Sequence, residues 1–142
     1  MSNLLKREKG FTLIEIVLVL AIAGLLLVIV FLAVQGANRS RRDAQRKQDA
    51  GRMLAAMSEC ASNNNGQYGT TCSGTTSTLI SGGYFSGSDP NGTAYSLVGG
   101  APANPGEIRP GYGVNAACPG TTANTAYVQV YQEAGSAYCV HN

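Results

Sequence analysis

The sequence predicts an α+β chain: a long N-terminal helix, apolar at first and amphipathic afterwards, with a small antiparallel β head packed on its C-terminal half. Three observations carry this. The chain has 142 residues, a net charge of +2 and a mean hydropathy of +0.00, yet its apolar residues are concentrated at one end. Residues 11–34 hold 21 apolar positions out of 24, against 42 of the other 118. Residues 35–61 contain no Pro and are dominated by Ala, Gln, Arg, Lys, Met and Leu, which are good helix formers. The last 80 residues contain only ten Leu, Ile, Val or Phe, but all seven Tyr and 14 of the 18 Gly. That suits short strands and turns rather than a large aliphatic core. The length excludes a large multidomain enzyme.

The first element is the apolar run. Residues 16–34 form 19 uncharged positions with Gly24 as the one breaker. The full 24 residues would extend roughly 36 Å as a helix, enough to cross a hydrocarbon core. A buried helix of a globular protein would need apolar surroundings that this tail cannot supply. A secretory signal peptide fits poorly, because the run exceeds an h-region of roughly 7–15 residues. The stretch after it, from Gln35 to Arg39, also lacks a small-x-small cleavage site. Only Gly10, before the run, reads as a cut point.

Glu15 is the one ionisable residue in the run. A carboxylate at membrane depth is a functional-site hypothesis that requires a partner, unless it lies at the level of the headgroups. Lys9 is six residues away and Arg39 is far along the helix, so the candidates are a new amine, another chain or the interface itself.

Read together, Lys9-Gly10-Phe11-Thr12-Leu13-Ile14-Glu15 and the basic leader with Lys6 and Arg7 resemble the processing site of type IV pilins and type II secretion pseudopilins. The likeness covers about the first third of the chain. It implies that residues 1–10 are a leader, that a membrane prepilin peptidase cuts after Gly10, and that Phe11 becomes an N-methylated terminus. It also gives Glu15 a partner, the Phe11 α-amine of a neighbouring subunit in a filament, where opposite charges in low dielectric attract strongly. Two features depart from the simplest pattern. No Pro precedes Pro90 to kink the helix. Six Lys or Arg between residues 38 and 52 follow the span, against three before it, opposite to what the positive-inside rule expects of an exported tail.

The second element is the continuation of the helix, residues 35–62. Ala37, Ala44, Gly51, Leu54, Ala55 and Ala61 recur near helical spacing and form the expected head-facing stripe. Arg39, Asp43 and Lys47 lie four apart, and Arg46 and Asp49 three apart, as a ladder on a solvated face. The alternative for this basic stretch is nucleic acid or anionic lipid; nucleic acid is the weaker expectation, since opposite charges sit at pairing distances. A stop at Asn63-Asn64-Asn65-Gly66 gives one helix of roughly 78 Å from about residue 11 to 62, the pilin lollipop.

The third element is the head, residues 63–142. Strands are expected at 94–98, 112–116, 126–132 and 137–141, the last two joined by a turn at Glu133-Ala134-Gly135-Ser136. Tyr127, Gln129 and Tyr131 alternate with Val128 and Val130, as in a half-buried strand. Residues 70–81 read as a flexible polar loop. Asp89-Pro90-Asn91-Gly92-Thr93-Ala94-Tyr95 reads as a turn into a strand and resembles a loop of major pseudopilins. Calcium, which such pseudopilins bind, is not expected, because the carboxylates are not clustered. Sequons stand at Asn38 and Asn91.

Cys60, Cys72, Cys118 and Cys139 all follow the span. In a small exported domain they read as two disulfides. Three pairings are open; Cys60 with Cys72 and Cys118 with Cys139 are favoured. Zinc is the rival, but there is no C-x-x-C spacing and a single His. No nucleophile–base constellation, phosphate loop or metal cluster is legible, so neither catalysis nor a cofactor is expected. The expected function is that of a structural subunit, anchored by one pass in the bacterial inner membrane with its head exported, and later part of a surface or periplasmic filament. By resemblance its partners are copies of itself, related pilins, the prepilin peptidase, an inner-membrane platform and an assembly ATPase, with membrane lipid before assembly. The alternative is an anchored surface-binding protein that never polymerises. A plain anchor needs neither Gly10-Phe11 nor Glu15.

Overall fold

The computed structural model describes residues 10–142; of the expected leader, residues 1–9 lie outside the described residues. The elements in chain order are α1 (Leu13–Asn63), α2 (Gly69–Cys72), β1 (Ser96–Leu97), β2 (Glu107–Tyr112), β3 (Ala126–Val130) and β4 (Tyr138–His141). The contacts divide the chain into two units at Asn38/Arg39. In the first, every described residue is exposed, including the whole apolar stretch of α1. That helix is long and apolar enough to cross a membrane.

The second unit holds the core. Here α1 buries Ala50, Met53, Ala56, Met57 and Cys60 against Leu79, Phe85, Tyr95, Ile108, Ala126, Val128 and Val130. The α+β architecture is therefore the one predicted. The buried face of α1 is not. Ala37, Ala44, Gly51 and Ala55 are exposed, and Leu54 is half-buried; of the expected stripe only Ala61 is buried. The buried face instead includes Asp43, Arg46 and Asp49, three of the residues assigned to the solvated ladder. The reason is that the head supplies carboxylates and a tyrosine hydroxyl to that face, so polarity did not mark its outside.

The sheet order is β1-β2-β3-β4, and the sheet is mixed rather than wholly antiparallel. β1 pairs parallel with β2 (Ser96 with Glu107, Leu97 with Ile108), because residues 98–106 form a crossover instead of a tight hairpin. β2 was expected further along, at 112–116. Pro110 disguised it, since Pro argues against a central strand. Its position resolves the conflict. The Pro110 carbonyl accepts from Gly74 N–H at 2.9 Å, so it points away from β3, as its missing N–H would. β1 has already ended beside Ile108, and no ladder bond is lost.

β2 and β3 pair antiparallel, as do β3 and β4, around the turn at residues 131–137. β3 is buried at all five positions, not half-buried. Its outward face is covered: the Tyr127 ring lies across Gly111, where a Cβ would collide with it, and on the same face the Arg109 guanidinium sits over that ring, 5.8 Å from its centroid. Gln129 is held by Arg109 Nη1 (3.1 Å) and by the Ala117 carbonyl (3.2 Å). Residues 70–81 are likewise not a solvated loop, because Cys72, Ser77 and Leu79 are buried and 69–72 form the turn of α2.

Candidate functional site

Two groups of residues concentrate the chemistry. The first is the entry to α1. Gly10 and Phe11 precede the helix and are exposed. Thr12 stands at the helix N-cap position. Its N–H and Oγ1 donate to Glu15 Oε2 at 3.0 and 2.9 Å, while Glu15 N–H reaches back to Thr12 Oγ1 at 3.4 Å. This reciprocal arrangement is a capping box, which satisfies donors that a helix start leaves unpaired. The Thr-x-x-Glu spacing was visible in the sequence and gives Glu15 a partner that the search for a cation overlooked. Leu13, Ile14, Ile16 and the apolar residues that follow are all exposed around it.

The second group is an ion cluster inside the head. Arg46, 1% exposed, forks onto Asp89, with Nε to Oδ1 at 2.6 Å and Nη2 to Oδ2 at 3.1 Å. It also donates to Asp43 (2.8 Å) and Glu133 (3.1 Å), and its guanidinium faces the Tyr131 ring. Glu133 receives a second fork from Arg42 at 2.7 and 2.6 Å and lies 3.7 Å from Arg39. Its own N–H donates to Asp43 at 3.0 Å. Three arginines thus meet three carboxylates, and the bidentate geometry makes these charge-assisted bonds strong. Beside the cluster, the buried Tyr95 hydroxyl donates to Asp49 (2.9 Å), which also pairs with Arg52 (3.2 Å). Both ends of the 89–95 turn therefore grip α1, at Arg46 and at Asp49. The expected ladder pairs of Arg39, Asp43 and Lys47, and of Arg46 with Asp49, are replaced by these bonds. Arg46 keeps one helix neighbour, the buried Asp43, and makes its other bonds with Asp89 and Glu133 of the head, partners worth more out of solvent than an exposed ladder pair.

The electrostatics follow from these contacts. The Arg42 fork holds the Glu133 carboxyl down at about 2, with burial opposing and Arg46 assisting. For Asp89, burial is the largest influence and works against ionisation, but Arg46 and the Asn91 amide together outweigh it and hold the carboxyl below its usual range. The Asp89 bond keeps Arg46 protonated more firmly than usual. Burial, then Asp49, pushes the Tyr95 phenol up. All these groups are locked in fixed protonation states near neutrality, which suits structure rather than proton transfer. Their oxygens are taken up by guanidinium groups.

The four cysteines form two disulfides. Cys60–Cys72 joins the end of α1 to α2, and Cys118–Cys139 joins residues 113–125 to β4; both have Cα atoms 5.7 Å apart. Sequence reasoning missed the cluster as a unit. In the sequence Asp89 reads only as a turn residue and Glu133 only as part of a hairpin turn. The available signal was two acids in turns, in a chain whose helix carries unbalanced arginines.

No curated protein and no solved structure matches the chain. Residues 5–31 match the family described as the prokaryotic N-terminal methylation motif, a stretch that covers Gly10, Phe11, the Thr12–Glu15 box and the start of the exposed apolar helix. The chain therefore carries the prepilin-type N-terminal signal of type IV pilins and pseudopilins.

Proposed function

We propose that the chain is a structural pilin-like subunit, made as a precursor, cut after Gly10 by a prepilin peptidase, N-methylated at Phe11 and polymerised into a type IV pilus or a type II secretion-type pseudopilus. The signal implies a non-enzymatic family that self-associates. The observation that carries the reading is that this signal opens a helix whose apolar side chains over residues 13–34 are exposed throughout in the single chain. They need lipid first and neighbouring helices afterwards. In this reading, residues 1–10 are the leader, 11–34 the membrane span and later the filament core, 35–62 the stem and 63–142 the disulfide-stapled head. Glu15 leaves its capping box to face the Phe11 amine of a neighbour, which fixes the axial register. An inner-membrane platform and an assembly ATPase supply the work of extraction. The head is exported, and the three head-facing arginines on the stem are there for its ion cluster rather than for nucleic acid.

Intact mass spectrometry of material sheared from cells tests this. A subunit that begins at methylated Phe11 is the expected species. An uncut chain found only in the membrane fraction would replace the reading with that of a non-polymerising surface-binding anchor.

A further inference from the structure

The chain has two Asn-Gly pairs, Asn65-Gly66 and Asn91-Gly92. Both are exposed, and both are held shut by the fold. An Asn-Gly pair is able to modify itself. The glycine nitrogen gives up its proton and attacks the asparagine Cγ, with no Cβ on the glycine to hinder it. A C–N bond forms, the Cγ–Nδ2 bond breaks and ammonia leaves. Water then opens the cyclic imide to aspartate or to isoaspartate. The nitrogen must first turn toward the side chain. At Asn91 it is pinned elsewhere. Gly92 N–H donates to the Asp89 carbonyl at 2.7 Å, Asn91 N–H donates to Asp89 Oδ2 at 3.0 Å, and Asp89 N–H donates to the Thr93 carbonyl at 2.7 Å. Gly92 has a φ of 84°, a conformation that favours glycine. The residue that the turn requires is therefore also the one that leaves Asn91 open to attack.

We propose that Asn91-Gly92 is a latent self-modification site whose gate is the grip of the 89–95 turn on α1. Asp89 holds the turn closed, and Asp89 is itself held by the Arg46 fork at 2.6 and 3.1 Å. Tyr95 holds the far end through Asp49. Away from α1 the turn is a hairpin closed by an isolated bridge, Ser88 with Ala94, and a lone hairpin is marginal in water. Loosening at this point frees the Gly92 nitrogen. The other pair is shut by different means. Gly66 N–H donates to the Ala61 carbonyl at 2.8 Å, within the segment that the Cys60–Cys72 disulfide ties to the end of α1. It stays shut when the 89–95 turn opens, and so serves as an internal reference. The product changes the fold. Isoaspartate adds a methylene to the main chain between residues 91 and 92. The spacing of the Asp89–Gly92 and Asp89–Thr93 bonds is then lost, and with it the joint return of Asp89 to Arg46 and of Tyr95 to Asp49. An opening that would otherwise reverse becomes permanent. This chemistry belongs to the head alone and is independent of the filament reading.

Peptide mapping by mass spectrometry tests this on the full-length, detergent-solubilised chain, with both disulfides oxidised and the sample held at mildly alkaline pH. Conversion at Asn91 and at Asn65 is followed over time. In the native chain both should persist, and the reduced, denatured chain should convert both at least about tenfold faster, since exchange of this kind waits on local opening. Arg46→Ala should speed conversion at Asn91 at least about tenfold, because it leaves Asp89 buried without its partner, and at Asn65 by less than about twofold. Tyr95→Phe removes one hydroxyl and no charge. It should raise the Asn91 rate about threefold or more through loss of the bond to Asp49, again with little change at Asn65. Equal acceleration at both asparagines in these variants would mean general loosening and would overturn the proposal. So would an unchanged Asn91 rate in both variants, or conversion at Asn91 in the native chain as fast as in the denatured one.

Discussion

Arg46→Ala is the substitution with the largest expected cost to the head. Among the described residues it removes the cation that touches Asp89, whose side chain is 1% exposed and which then keeps backbone amides such as that of Asn91. Asp43 loses its ion pair, and Glu133 loses its single bond from Arg46 while keeping the Arg42 fork. Removing one partner of a buried pair costs about 3–5 kcal/mol, because the other charge is left uncompensated. A domain of this size has about 5–15 kcal/mol in total, and about 4–8 °C of melting temperature goes with each kcal/mol in a chain of roughly 100 residues. The head should therefore melt at least about 12 °C lower. The assay is near-ultraviolet circular dichroism of the detergent-solubilised chain, which follows its seven tyrosines, with disulfides kept oxidised. The control is Arg41→Ala, exposed and without an ion-pair partner among the described residues, which should leave the melt unchanged within about 0.5 kcal/mol. A second variant separates charge from volume: Arg46→Met with Asp89→Leu should recover much of the loss, since a buried pair replaced by apolar groups is often near neutral. If Arg46→Ala shifts stability by under 1 kcal/mol, the cluster does not hold the head, and the reasoning fails.

Other outcomes follow from the same contacts. Glu133 and Asp89 have folded pKa values below their usual ones, so the stability they contribute is complete above about pH 4.5 and is lost as pH falls toward 2; a urea titration across that window should show the fall, and Glu133→Gln should flatten it from an already lower starting point. Gly111→Ala drives a methyl into the Tyr127 ring and should destabilise the head by about 1–3 kcal/mol in the same titration, while Gly51→Ala, in open space on the helix, should be neutral or slightly stabilising. Glu15→Ala should still insert and be processed, as read by mass, but should yield few filaments in a shearing assay; normal yield would remove Glu15 from assembly.

How much of this was legible in the sequence depended on whether the signal was local. The span, the helix continuing to Asn63 and the β3–β4 hairpin were readable because run length, propensity and turn chemistry act over neighbouring residues. The Thr12–Glu15 box was equally local and could have been read from its spacing. The buried face of α1 could not. Arg46 looks like any exposed arginine on a helix until Asp89 and Glu133, 43 and 87 residues away in sequence, are brought to it. β2 was hidden by Pro110, whose tolerance depends on β1 stopping two residues earlier. β3 looked half-exposed because alternation reports side-chain chemistry, and the cover over Tyr127 and Gln129 comes from residues 109, 111 and 117, which carry no periodic mark.

The ion cluster also answers a question posed by the stem. Beyond Asp43 and Arg46, the buried line on α1 continues through Ala50, Met53, Met57 and Cys60, spaced by three and four like a heptad seam. The first half of such a seam tolerates sliding: moved by seven residues, Met57 replaces Ala50 and Cys60 replaces Met53, although Asn64 and Gln67, past the end of α1, then fall where Met57 and Cys60 stand. That slide would set Met53 where Arg46 stands, leaving Asp89 buried without its fork, and Asp49 where Arg42 stands, against Glu133. Tyr95 would lose Asp49 to Ala56 at the same time. The penalty for an unpaired buried charge is several kcal/mol, comparable with the whole stability of a small domain. The head is thus fixed at one height on its helix by polar contacts at Arg46 and Asp49, while the apolar contacts below them supply the bulk of the burial. In a filament of the kind proposed, that height would have to be fixed, because any error in it would repeat at every subunit.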